Sequence, residues 1–134
     1  MIEGRDFLRA FEYLEGMADE VGDRTQTGRA YYAAFLEART FCETHLGYIV
    51  RKSGREHGEI PQVLTTLDSR SADNLVFLRR LRNVADYDLN VSAVTIAEQA
   101  SWSGTIARSI IERLDELTDT SDDDSPVTPI SDDA

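Results

Sequence analysis

Cysteine is almost missing from this chain: Cys42 is the only one in 134 residues, so no intrachain disulfide can form and a reducing compartment fits. It falls among apolar positions of a helical pattern, which reads as a small core residue rather than a nucleophile. Histidine is nearly as scarce. His45 and His57 stand apart and, with one cysteine, make no metal-ligand cluster, so no metal and no cofactor are expected. There is no apolar run of about 18 residues and no signal-peptide core, which predicts a soluble, cytoplasmic protein without membrane contact. A Gly-rich phosphate loop and a G-x-S-x-G elbow are also missing, leaving Ser/His/Asp chemistry without support. Nothing alternates with period two over a useful length, so strands are not expected. No internal repeat or heptad array is visible.

What is present is acid and helix. The chain carries 25 acidic and 14 basic residues, a net charge of −11. Residues 119–134 hold six aspartates (Asp119, Asp122, Asp123, Asp124, Asp132, Asp133) and no Lys or Arg. Without them the body has 19 acidic against 14 basic residues, a net of −5. Such a body does not gather nucleic acid through its global field, so any RNA contact depends on a local patch. The length suits one domain, residues 1–118, followed by a disordered acidic tail over 119–134. The default role of that tail is solubilising, the alternative being a nucleic-acid mimic that covers a basic site.

Apolar spacing predicts five helices. In the first, Phe7, Phe11, Leu14, Ala18 and Val21 recur at steps of three and four, and Gly22-Asp23 breaks the pattern. The Ile2-Glu3-Gly4-Arg5 stretch before it spells a protease recognition site, but the helical pattern follows at once, so it reads as native. The second helix, about 25–46, buries Ala30, Tyr31, Ala34, Phe35, Ala38, Phe41, Cys42 and Leu46, with Gly47 placed to end it. An exposed basic loop with Arg51, Lys52 and Arg55 precedes a short third helix at about 59–68, with Pro61 in its first turn. A fourth helix spans about 72–89. The last starts near Ser92 and runs to about Leu117 with a small-residue seam, Ala93, Ala97, Ala100, Gly104, Ala107, Ile111 and Leu114. Trp102, Ile106 and Ile110 form a second stripe there, for another helix or another chain. The expected architecture is an all-α, antiparallel four- to five-helix bundle.

One stretch runs against the acidic average. Arg79-Arg80-Leu81-Arg82-Asn83-Val84-Ala85-Asp86-Tyr87 packs three arginines, an amide, a carboxylate and a phenol into about two and a half helical turns. At about 100° per residue, Phe77, Leu78, Leu81, Val84 and Ala85 form the core face. Arg79, Arg82 and Asp86 share another stripe with Leu75 above them, and Arg80, Asn83 and Tyr87 lie beside it. A simple reading is an i,i+4 ion pair between Arg82 and Asp86, worth roughly 0.3–0.5 kcal/mol. The other is a phosphate site. His45 reads as structural, and His57 as a capping or loop residue.

Three pieces together resemble a known family. Arg29-Ala30-Tyr31-Tyr32-Ala33-Ala34-Phe35, His57, and Arg82-Asn83-Val84-Ala85-Asp86-Tyr87 look in order and spacing like HEPN domains, over about residues 5–117. The resemblance implies a four- or five-helix bundle, usually dimeric, found in toxin–antitoxin, CRISPR and antiviral systems. Many such proteins are metal-independent ribonucleases with an Arg–polar–(gap)–His signature, two copies forming one site across the dimer. Arg82 matches the signature Arg and Asn83 its polar follower. The signature histidine is absent, its possible positions holding Tyr87, Asp88 and Leu89. Cutting RNA through the 2′-hydroxyl wants a group that exchanges a proton near neutrality, which a phenol or a carboxylate does only when strongly perturbed. In some pairs of this family a partner nucleotidyltransferase modifies a tyrosine just after the signature, and Tyr87 is the candidate here.

The expectation is therefore a HEPN-like toxin–antitoxin or defence component that engages RNA or nucleotide phosphate at a dimer cleft. Arg82 binds phosphate, Asn83 bonds it or orients Arg82, and Arg79 and Asp86 support. One alternative is a non-catalytic interaction domain, homodimeric or paired with a nucleotidyltransferase. The other is a residual metal-independent ribonuclease using Tyr87 or His57.

Overall fold

Asp19 starts the helix around which the others pack. Its backbone is extended and its Oδ1 accepts the Gly22 N–H at 2.8 Å, a side-chain cap that opens α2, Glu20–His45. In the computed structural model, which describes residues 1–131 and side chains through Thr120, this helix is preceded by α1, Phe7–Leu14, and followed by α3, Glu56–Leu64, α4, Ser69–Tyr87, and α5, Ala93–Ser131. Short 3₁₀ turns cover Gly4–Asp6 and Glu15–Met17, and no strand occurs among the described residues. The expected disordered tail over 119–134 falls almost wholly on residues whose side chains, or whole placement, lie outside the described set. No helix among the described residues is long and apolar enough to cross a membrane.

The first boundary differs from the sequence expectation. α1 stops at Leu14, Ala18 takes a left-handed φ of 38°, and Val21 is exposed. Gly22 is not a breaker; it lies buried in the first turn of α2, where a Cβ would come within 2.9 Å of Met17 Cβ. At the other end the expectation holds. Gly47 has φ +72°, and the Tyr48 N–H reaches back to the Cys42 carbonyl at 3.1 Å.

α2 packs against all four other helices. Its alanines and aromatics supply much of the core: Ala30, Tyr31, Ala34, Phe35, Ala38, Phe41 and Cys42 are buried, as are Ile60 and Leu64 from α3. Burial pushes the Cys42 thiol up to about 11, which suits a core residue. The α4 core face is Ala72, Leu75, Leu78, Leu81 and Ala85. Leu75, placed above the charged stripe from sequence, is in the core, whereas Phe77 is partly exposed and Val84 half-buried. On α5, Ala100, Gly104, Ala107, Ile111 and Leu114 of the seam are buried, but Ala93 and Ala97 are exposed. Of the second stripe Ile110 is buried, and Trp102 is half exposed.

Two polar devices tie the bundle. Arg5 donates to both carboxylate oxygens of Glu37 on α2 and of Asp115 on α5, at 2.8–3.1 Å, so the N-terminal segment belongs to the fold. α3 begins three residues earlier than predicted because Glu56, nearly fully buried, accepts the backbone N–H groups of Arg51 and Lys52 and the Arg39 guanidinium. The basic loop is thus pinned at its base, while Arg51, Lys52 and Arg55 stay exposed.

Candidate phosphate-binding site

Tyr32 sits on the flank of α2 that faces away from the deepest core, and two guanidinium groups close on its ring. Arg82 from α4 lies 5.4 Å from the ring centroid, and Arg29, one turn back on α2, lies 5.8 Å from it. Arg29 is also 5.7 Å from the Phe7 ring, and Arg82 is 5.8 Å from that of Tyr87. Each arginine keeps a buried Nε–H with no hydrogen-bond acceptor among the described residues. For Arg82 this holds although Asp86 Oδ2 is only 3.0 Å away, since the carboxylate lies off the N–H direction and balances charge without satisfying the donor. Asn83 adds little, its Oδ1 standing 3.5 Å from an Arg82 terminal nitrogen.

The predicted Arg79/Arg82/Asp86 stripe divides in the structure. Arg82 and Asp86 pair, as helix spacing suggested. Arg79 forms no ion pair among the described residues and acts with Arg82 on Tyr31 and His57. Tyr87, 72% exposed, is an aromatic surface beside Arg82 rather than an enclosed phenol.

His57 is the residue whose place departs most from the sequence reading. It is in the first turn of α3, not in a loop, and its ring stacks on Phe35 with centroids 4.5 Å apart. Its Nδ1 is 2.6 Å from the hydroxyl of Tyr31, a fully buried side chain that packs edge-on against Tyr32. Burial, then the positive charges of Arg79 and Arg82, hold the imidazole below its usual titration range. Burial likewise raises the Tyr31 phenol far above neutrality. The phenol therefore keeps its proton, and since Nδ1 is the one partner its hydroxyl has among the described residues, we assign that proton to the Tyr31–Nδ1 bond and the ring's own proton to Nε2. His57 is a neutral N–H donor at the edge of a cationic cluster. His45 is exposed, its ring 4.7 Å from that of Phe41, and plays no part.

Arg29 and Tyr32 entered the sequence reading only through the resemblance, and Tyr31 through it and as a core residue of the second helix, none of them as a site residue. A signal was available: Arg29 and Tyr32 repeat at i,i+3 beside the buried Ala30/Tyr31 face, as Arg79 and Arg82 do beside Leu78 and Leu81. No group of three or more His, Cys, Asp or Glu that could hold a metal occurs among the described residues. The fold and site thus define an α-helical bundle with three guanidinium groups, one close carboxylate and an aromatic platform. Comparison with protein-family models, curated proteins and solved structures finds no match to this chain.

Proposed function

We propose that the protein is a HEPN-like component of a toxin–antitoxin or defence module that binds RNA phosphate through Arg82, with Arg29 and Arg79 beside it. The observation that carries this is the gathering of Arg82 and Arg29 at the Tyr32 ring, with Arg79 close by and only Asp86 paired to the cluster among the described residues. Three guanidinium groups with one paired carboxylate leave positive charge unbalanced, and a phosphate supplies both the countercharge and hydrogen-bond acceptors for their terminal N–H groups. Tyr32 and the exposed Tyr87 give an unstacked base a ring to lie on, which suits single-stranded RNA. In the dimer this reading carries, two such sites face one cleft, and Asp86 holds Arg82 between phosphate contacts.

The site is assigned to binding rather than cutting. With its Nδ1 occupied by Tyr31 and its Nε2 protonated, His57 has no free lone pair to take a 2′-hydroxyl proton. Fluorescence anisotropy with a labelled single-stranded RNA tests the assignment. Arg82→Ala and Arg29→Ala are each expected to weaken binding about tenfold, the scale of one charged hydrogen bond, with helical content unchanged. Unaltered RNA affinity in both variants, together with weakened self-association in analytical ultracentrifugation, would favour the interaction-domain reading instead.

A further inference from the structure

Between α3 and α4 lies an open cleft of about 310 Å³ that shares Arg79 and His57 with the Arg82 cluster and extends away from it along the two helices, large enough for a small ligand. The helices run antiparallel and are joined by a short turn, so its two ends differ chemically. His57 and Arg79 stand at one end, Thr65 and Asp73 at the other, and Pro61 and Val76 line the middle. Arg79 and Asp73 are six residues apart, roughly 9 Å along the helix axis. The cationic end holds two donors without acceptors among the described residues: the Arg79 guanidinium and the Nε2–H assigned to His57.

We propose that this cleft is a nucleotide subsite that takes one nucleoside 5′-monophosphate unit. Its phosphate meets Arg79 and the His57 Nε2–H, its ribose lies over Pro61 and Val76, and its base edge reaches Asp73 and Thr65. The Asp73 carboxylate only accepts hydrogen bonds, so it favours cytosine, which presents its N4 amino group where uracil presents the O4 carbonyl. The inference rests on the phosphate-binding reading and deepens it, since the cleft lies next to the Arg82 cluster. The same chemistry is found in a free nucleotide and in the 5′-phosphorylated end of an RNA.

Calorimetric titration of the full chain with CMP and UMP tests the proposal. Gly58 lines the cleft, so Gly58→Leu is the variant chosen to obstruct it; a Cβ at Gly58 meets nothing within 4 Å, and leucine is the better helix former, so the fold tolerates it. CMP is expected to bind more tightly than UMP, Gly58→Leu to weaken CMP roughly tenfold, and Asp73→Asn to erase the preference for CMP. Tighter binding of a 5′-phosphorylated than of a 5′-hydroxyl RNA, lost in Gly58→Leu, identifies the RNA end as the source; equal binding of the two identifies the free nucleotide. No CMP binding by the natural chain, or CMP binding indifferent to Gly58→Leu, overturns the subsite. RNA binding that still depends on Arg82 in that case leaves the phosphate reading standing, and its loss removes both.

Discussion

Tyr31 is fully buried and its hydroxyl has one partner, His57 Nδ1 at 2.6 Å, so one hydrogen bond fixes what the imidazole offers its surroundings. Protonating His57 would place an N–H against a phenol that has no second acceptor for its own proton, beside Arg79 and Arg82. The folded ring therefore takes its proton at lower pH than an unfolded histidine, which titrates near 6.5. As pH falls through 6.5 the unfolded chain binds the proton first, so stability declines. The decline from this residue levels off once the folded ring is protonated too, and above that range His57 adds no pH dependence. Melting temperatures of the natural chain and of His57→Gln between about pH 7.5 and about pH 5 check this. The natural chain is expected to lose more on acidification than the variant, and equal losses would refute the assignment.

At the scale of the helices, small residues decide how closely the elements approach. The Phe11 ring of α1 lies on Gly104 of α5 so tightly that a Cβ there would be 2.5 Å from the ring. Gly104→Ala is expected to cost about 1–3 kcal/mol in overpacking, more than the roughly 1 kcal/mol that alanine returns in helix propensity. Gly28 of α2, where a Cβ meets nothing within 4 Å, is the control, and Gly28→Ala should stabilise by about 0.5–1 kcal/mol in urea unfolding. The seam that includes Gly104 was legible from its spacing, as was the αL end of α2 at Gly47. The break between α1 and α2 was not, because Gly22 reads as a helix breaker until its packing against Met17 is seen. Likewise Leu75 belongs with Leu78 on the core face, three residues apart, while Phe77 is turned about 100° away from it. Glu56 marks the start of α3 only through the loop that folds back onto it. Burial alone would raise its carboxyl, but the Arg51 N–H, the Arg39 guanidinium and the Lys52 N–H outweigh that and hold it below its usual 4.5. Glu56→Gln should therefore lose about 2 kcal/mol of stability at neutral pH. The gap should narrow as pH falls below 4.5, where the carboxylate and its stabilisation are lost.

Over the whole molecule, a chain of net charge −11 gathers Arg29, Arg79 and Arg82 around Tyr32 and His57 with one close carboxylate, Asp86. The half of the site carried by α4 was readable from the sequence, since Arg82 and Asp86 pair by helix geometry alone. The rest was present in the sequence only as separate pieces of a resemblance, because Arg29, Tyr32 and His57 come from α2 and α3, and only their packing brings them to Arg82. On the proposed RNA-phosphate reading, that arrangement also sets how binding responds to salt. The global field repels phosphate, so attraction comes from the few cations at the site, and each phosphate neutralised on a single strand contributes about −0.7 to the slope of log K against log salt. Three arginines give a slope of about −2, shallow beside that of a generally basic RNA-binding protein. Arg82→Ala should flatten it by about 0.7 as well as lowering the affinity, whereas Arg55→Ala in the exposed loop should leave it unchanged. Anisotropy titrations at four or so salt concentrations measure both quantities at once. A slope near zero would mean that no phosphate is engaged, and one much steeper than −2 would bring Arg51, Lys52 and Arg55 into the interface and displace Arg82 as its centre.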